Sequence, residues 1–350
     1  MSSSPLAEIL IHDAPGEYRA VAIDDQGQAC RLFFRRWNDD TRRHFPGQVL
    51  GARVRAFADD QGGAFIETDM GEGAYLALKT RDGLTEGQHL NVLIKASARR
   101  EKLARAVVAS DGQVGATSAL EAWVASLPSG AQLPCRDDPQ TVAAAFDEAG
   151  LDTVTLPHGG WLHLEPTRAL LAIDVDTAGR QGRGSAGARA RSIGIEAAST
   201  AARQLALRDI GGAIVLDCIG PLNKQSGEAV RAAFVTTFSA LSARKIKALA
   251  PSAFGLMEAS LEWGECPIVE RLTDRDGAPT AETLLLSLFR EVEHEAAANG
   301  SALFELALSK PVYGAYLHRQ SECDKVLAER FGGRVSVKPN ANGPDEVRRR

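Results

Sequence analysis

Hydrophobic and polar positions along the chain follow two rhythms. Short apolar or alternating runs bounded by Gly, Asp and Pro predict strands, and apolar residues returning every three or four positions predict helices. Residues 6–11, 18–23 and 29–34 fit the first pattern, the last two as a hairpin around Asp24-Asp25-Gln26-Gly27. Short runs at 49–56, 64–67, 74–78 and 89–95, separated by Gly- and Asp-rich turns, predict a small barrel of the OB type. Helices are predicted at 118–127 and 141–149, and strands at 151–156 and 161–164. From 169 strand and helix alternate. A helix over 188–208 carries Ile193, Ala197, Ala201 and Leu205 on one stripe; a helix near 227–242 and a strand at 245–250 follow. Residues 274–279 interrupt the pattern. Beyond them come an amphipathic helix with Leu284, Leu285, Leu288, Phe289 and Val292, a strand at 303–308, a helix after Pro311 and a strand near 335–337. Residues 339–350 are polar and predict a mobile tail.

Two of the predicted strands end on acid. Residues 169–176 read Ala-Leu-Leu-Ala-Ile-Asp-Val-Asp and finish with Asp174 and Asp176; residues 213–217 finish with Asp217. The helix between them makes a βαβ unit, whose strands are parallel and whose crossover is right-handed. Asp174 and Asp217 then meet at one sheet edge, where α/β proteins build their sites. A lone strand-end Asp is more often a turn or capping residue. Two at parallel strand ends suit Mg²⁺, with Mn²⁺ as a substitute, because Mg²⁺ takes one or two carboxylates and keeps its waters. Asp176 is a candidate to orient or deprotonate water. Arg180, Arg183, Arg189 and Arg191 follow, and Arg180 and Arg183 are candidates for phosphate contact.

Composition narrows the partners. With a net charge of −5 the chain cannot hold nucleic acid by overall charge, so any such surface is local. Candidates are the Arg-rich segment after Asp176 and the run Arg99-Arg100-Glu101-Lys102-Leu103-Ala104-Arg105. An isolated basic cluster is usually a solvated face; two, one adjoining a candidate metal site, point to phosphate. Phe65 and Tyr75 on the predicted barrel are either base-stacking or core residues. No apolar run is long enough to span a bilayer, and the N-terminus lacks the pattern of a signal peptide. Five scattered cysteines without a Cys-x-x-Cys pair suit reduced thiols. A cytoplasmic location without membrane partners is therefore expected.

Several motifs resemble the bacterial ribonuclease E/G family. Ala172-Ile173-Asp174-Val175-Asp176 is similar to its Ile-Asp-(Ile/Val)-Asn core, and Leu156-Pro157-His158-Gly159-Gly160 to its Leu-Pro-x-Gly-Gly turn. Ile195-Glu196-Ala197-Ala198, Ala202-Arg203-Gln204-Leu205, Leu207-Arg208-Asp209-Ile210-Gly211-Gly212 and Ile214-Val215-Leu216-Asp217 also match, as does Phe254-Gly255-Leu256-Met257-Glu258. The resemblance implies an α+β multidomain chain. Residues 1–45 would pack with 111–168 as a reduced ribonuclease-H-like part. Residues 46–110 would be an OB-type RNA-binding barrel, 169–273 a deoxyribonuclease-I-like catalytic domain, 280–338 a small α/β domain, and 339–350 a flexible tail.

By the same resemblance Asp174 and Asp217 would hold the metal, Asp176 would stand where the family has Asn, and Phe65, Tyr75 and Lys102 would contact single-stranded RNA. The segment before Leu156 is too short for the family's sensor of RNA 5′-monophosphate, so no dependence on that end is expected. The family's Cys-Pro-x-Cys zinc link is reduced to Cys266-Pro267-Ile268-Val269. Zinc is not expected, and any oligomer would form without it. The Ser-Arg before Phe-Gly-Leu is Ser252-Ala253 here, and the Arg-rich turn beyond is Ser260-Leu261-Glu262-Trp263. Two functions follow: an Mg²⁺-dependent endoribonuclease leaving 5′-phosphate ends, or an RNA-binding protein that kept the scaffold without cleaving.

Overall fold

Strands β1 (Leu6–Ala14), β2 (Glu17–Asp24) and β3 (Ala29–Arg36) form an antiparallel meander. The computed structural model describes residues 6–37, 39–58, 60, 62–78, 83–100, 102–129, 132–180, 185–340 and 343–350, without the side chains of residues 40 and 42. A short helix α1 (Asp39–Arg42) leads into β4 (Val49–Ala58), β5 (Gly63–Thr68), β6 (Gly73–Ala77), β7 (His89–Ala96) and β8 (Ala104–Val108). These close into a barrel in the order β4-β5-β6-β8-β7, consistent with the expected OB type. Small side chains (Ala52, Ala64, Ala74, Ala104, Ala106) and larger ones (Val54, Ile66, Leu76, Ile94) together fill its interior. Strand β8 is the barrel strand that the sequence rhythm did not delimit, because its five residues begin inside the basic run and only Ala106, Val107 and Val108 lie beyond it.

Helix α2 (Ala119–Ser126), strand β9 (Cys135–Asp137) and helix α3 (Pro139–Gly150) return the chain to the first sheet. β9 pairs in parallel with β1, giving the order β3-β2-β1-β9. Asp138 caps α3 by accepting from Thr141 N, and Pro139 sits at the first helical position, where its missing N–H costs nothing.

The next sheet contains β10 (Thr153–Thr155), β11 (Trp161–Pro166) and β12 (Leu171–Asp176). Helix α4 (Ala186–Leu207) crosses to β13 (Gly212–Asp217); helix α5 (Lys224–Leu241), β14 (Ile246–Ala248), β15 (Leu256–Leu261) and the short α6 (Ile268–Leu272) follow. Strand order is β10-β11-β12-β13-β15-β14. Only β12 and β13 are parallel within it, as their βαβ connection requires. Two points differ from the sequence reading. β10 and β11, grouped with residues 111–168, pair with the sheet of β12. Ser260 and Leu261, read as a turn, end strand β15. Its signal was present: Met257, Ala259 and Leu261 alternate inward with period two.

Helices α4 and α5 cover one face of this sheet. Ile173, Leu216, Leu162 and Met257 meet Ala197, Ala201, Phe234 and Phe238 there, and the far side of the same core reaches Ile9, Ala22 and Phe33 of the first sheet. Among the described residues the other face of the six-stranded sheet carries no helix, and its outward side chains are exposed or half-buried.

Helix α7 (Ala281–Ala298), β16 (Phe304–Leu308), α8 (Lys310–His318), α9 (Gln320–Phe331), β17 (Val335–Pro339) and β18 (Glu346–Arg349) form the C-terminal part, with strand order β17-β16-β18. The expected flexible tail at 339–350 is corrected here: Glu346–Arg349 is an edge strand antiparallel to β16, with Val347 packed on the local core. Its single apolar residue left too little pattern to read. This part docks on the first sheet through His12–Glu293 at 2.7 Å, Arg330–Asp13 at 2.6 Å and Trp37 Nε1 donating to Glu282 at 2.8 Å. Among the described residues no helix is long and apolar enough to cross a membrane.

Candidate active site

In β12 the side chains of Leu171, Ile173 and Val175 turn into the core, which sends Ala172, Asp174 and Asp176 to the open face. In β13 Ile214 and Leu216 turn in, and Asp217 turns out. The parallel register pairs Ile173 with Leu216, so the next step sets Asp174 beside Asp217. Neighbouring strands are about 4.8 Å apart. Both aspartates are exposed, and neither has a hydrogen-bond or ion partner among the described residues. Asp176 lies two residues along the same face, and its Oδ1 accepts from Ala178 N at 2.7 Å. Among the described residues no three His, Cys, Asp or Glu side chains converge as a metal-binding group. The site thus offers an ion two adjacent carboxylates.

The neighbours of this acidic row come from β11 and β15. Trp161 pairs with Asp176 and His163 with Asp174, so both share the open face; His163 Nδ1 is 3.0 Å from Thr153 Oγ1. On the other flank Leu256 pairs with Asp217 and Glu258 with Val215. Gly255, at φ 86°, closes the turn before β15, and a Cβ there would stand 3.9 Å from Asp217 Oδ1. Its carbonyl accepts from Cys218 N at 3.0 Å, which ties this turn to the end of β13. Cys218 itself is buried, and burial pushes its thiol up to about 11, so it packs as a small apolar side chain.

A brace holds the loop after β12. Arg180 Nη2 donates to Glu196 Oε2 at 2.9 Å, and Glu196 Oε1 accepts from His158 N at 2.8 Å. Gly160, at φ 91°, must be glycine because a Cβ would lie 2.4 Å from Asp176 O. Arg180, a candidate phosphate ligand, is therefore engaged within the protein. Arg183 lies outside the described residues.

On the barrel, Phe65 and Tyr75 point outward, since Ala64, Ile66, Ala74 and Leu76 fill the interior. The two rings meet edge to face at 5.9 Å, and Tyr75 pairs with exposed Arg105 of β8. Lys102 is exposed next to this strand. The core alternative for the two rings is excluded. Arg99 and Arg100 of the basic run make contacts within the protein. Arg99 lies 3.4 Å over the ring of Trp263, and Arg100 donates to Asp274 O at 2.8 Å. Trp263 in turn explains Gly211-Gly212, where a Cβ on either would meet its ring at 2.8 Å. A cavity of about 470 Å³ lies beside Trp263, Arg244 and Trp123, near the start of β13 and thus at the opposite sheet edge from Asp217. It is the wedge between the barrel and the two sheets, whereas the aspartates sit on an open face.

Residues 138–262 match the model of the ribonuclease E/G family, spanning β10 to β15 and all three aspartates. This stretch of the chain belongs to the ribonuclease E/G family. It is 28% identical to ribonuclease E of Escherichia coli K12 over 250 residues, covering 68% of this chain and 22% of that protein. It is 28% identical to ribonuclease G of the same organism over 201 residues, or 54% of this chain and 40% of that protein. A segment of 78 residues is 42% identical to ribonuclease E of Nostoc, covering 22% of this chain and 11% of that protein. The chain thus spans about a fifth to two fifths of the length of its Escherichia coli relatives. Trp161 and Phe254 are the residues beside the aspartates that the sequence reading did not single out. Their signal was an aromatic side chain at an outward strand position and at a turn, both normally filled by polar residues.

Proposed function

We propose that the chain is an Mg²⁺-dependent endoribonuclease that hydrolyses phosphodiester bonds of single-stranded RNA to leave 5′-phosphate ends, in cytoplasmic RNA processing or decay. The observation that carries this reading is the pair Asp174 and Asp217, adjacent on parallel strands, exposed and unpartnered among the described residues. Two such carboxylates fit Mg²⁺, or Mn²⁺ in its place, because such an ion takes few protein ligands and keeps its waters. Once bound, it supplies positive charge at a phosphoryl oxygen and makes water nucleophilic at neutral pH. Asp174 and Asp217 hold it and thereby fix where the phosphate enters. Asp176 keeps its Oδ2 unpartnered among the described residues, so this oxygen can orient the attacking water and accept its proton. The deoxyribonuclease-I-like unit at 169–273 would be the catalytic one, and Phe65, Tyr75, Arg105 and Lys102 on the barrel would guide the strand by stacking and charge.

A non-cleaving RNA-binding protein is the second reading, favoured by one observation: the Arg180 guanidinium is spent on Glu196. The deciding experiment uses end-labelled single-stranded RNA with either a 5′-hydroxyl or a 5′-monophosphate. The nuclease cleaves both at similar rates in Mg²⁺, leaves 5′-phosphate on the downstream product, and stops in EDTA or with Asp217→Asn. Binding without metal-dependent cleavage selects the second reading.

A further inference from the structure

Resting on the nuclease reading, we infer that Trp161 and Phe254 are base-stacking platforms on either side of the aspartate row, so that the bases flanking the scissile phosphate each lie on one ring. Strand order β11-β12-β13-β15 puts Trp161 on one flank of Asp174 and Asp217, and the turn leading into β15 on the other. Trp161 pairs with Asp176 and is 40% exposed, on the open face because Leu162 fills the core. Phe254 is 89% exposed, two residues before Leu256, the pairing partner of Asp217.

The backbone around Phe254 is fixed although its ring is bare. Ser252 N donates to Leu256 O at 2.9 Å, Gly255 N to Ser252 O at 3.0 Å, and Phe254 N to Ser252 Oγ at 3.3 Å. Cys218 N, next to Asp217, holds the Gly255 carbonyl. The turn therefore presents the ring at a set place beside the metal-binding pair instead of letting it fold back on the protein.

Charge says what can sit there. Asp174, Asp176, Asp217 and Glu258 are exposed on this face, and Arg180 is committed to Glu196. Among the described residues the side chains next to this row are acidic, and the nearest exposed cation on the same face, Lys247, lies on β14, two strands beyond Asp217, so away from a bound cation affinity for the neighbouring nucleotides comes from uncharged contact. Every base has a flat apolar face, and an aromatic side chain accepts it whatever its sequence. From β11 to β15 is three strand spacings, about 14 Å. Bases stacked on each other sit about 3.4 Å apart, so bases on both rings must be splayed. This site thus rejects a duplex and takes a single strand.

The test compares cleavage of a single-stranded RNA with one strong cut site by wild type, Trp161→Ala, Trp161→Phe, Phe254→Ala, Phe254→Leu and Phe254→Tyr. Ala and Leu variants are expected to lose about tenfold or more in kcat/KM, mostly through KM, and the aromatic variants to recover it. The same RNA is made with an abasic nucleotide at each position in turn. Wild type should lose most when the base just upstream or downstream of the cut is removed, and Phe254→Ala should be indifferent to one of these two. The abasic scan on wild type serves even if an alanine variant misfolds. Equal sensitivity at every position, or Ala variants that cut like wild type, overturns the platforms and leaves the nuclease. A folded wild type that neither binds nor cuts this RNA overturns both.

Discussion

Glu196 of α4 holds two loops at once: its Oε2 accepts from Arg180 at 2.9 Å and its Oε1 from the His158 amide at 2.8 Å. Burial alone would raise this carboxyl, but the hydrogen bonds from Arg180 and His158 outweigh it and hold it below 4.5. A depressed carboxyl stabilises the fold above its unfolded value, and that contribution disappears as pH falls through its native value. Glu196→Ala is expected to cost about 1.5–3 kcal/mol at pH 7. In denaturant melts the difference from wild type should shrink below about pH 4.5. A pH-independent difference would mean that packing, not the ion pair, carries it.

Where one face is buried, the site was legible. Leu171, Ile173 and Val175 against Ala172, Asp174 and Asp176 is a period-two pattern that fixes which face the acids take. The parallel register of β12 and β13 follows from the intervening helix. What charge does could not be read. Arg99, Arg100 and Arg180 look like phosphate ligands in sequence, yet each is spent on Trp263, Asp274 or Glu196, residues 16 to 174 positions away. A cation's partner depends on tertiary packing, and composition carries no record of it.

Asp174 and Asp217, unpartnered among the described residues, bear on stability. Like charges at neighbouring strand positions oppose each other by about 0.2–1 kcal/mol. Asp217→Asn should therefore raise the melting temperature slightly in EDTA. Wild type should be stabilised by millimolar Mg²⁺ through linkage, and the variant should not. A variant that Mg²⁺ stabilises as much as wild type would remove Asp217 from the proposed metal site.

Trp263 joins the barrel to the six-stranded sheet. It fills the space over Gly211 and Gly212 and supports the Arg99 guanidinium, whose pKa burial lowers. A partly desolvated cation over an indole is worth about 2 kcal/mol. Trp263→Ala should cost at least that and loosen the barrel from the body. Hydrogen exchange in the loop between β7 and β8 should then accelerate before exchange in β12 and β13 does. Uniform acceleration would mean the indole supports the whole core.

Glu265 shows the opposite sign from Glu196. Its carboxyl is enclosed, accepting from Ser97 Oγ at 2.5 Å and from Cys266 N at 2.9 Å. Burial raises its pKa above 4.5, although Arg271 and the hydrogen bonds pull it down. A carboxyl raised in the native state gives its full stability below the unfolded value and loses it as pH rises through the native one. Wild type thus carries a penalty at neutral pH that a neutral isostere avoids. Gln keeps an acceptor for Ser97 and has no charge to desolvate. Glu265→Gln is expected to melt at a higher temperature than wild type at pH 7, and at the same temperature below about pH 4.5. Because Ser97 N also donates to Gly264 O at 2.9 Å, the barrel stays attached in the variant. Destabilisation by Gln at pH 7 would show instead that the ionised form, paired with Arg271, is the one this junction needs.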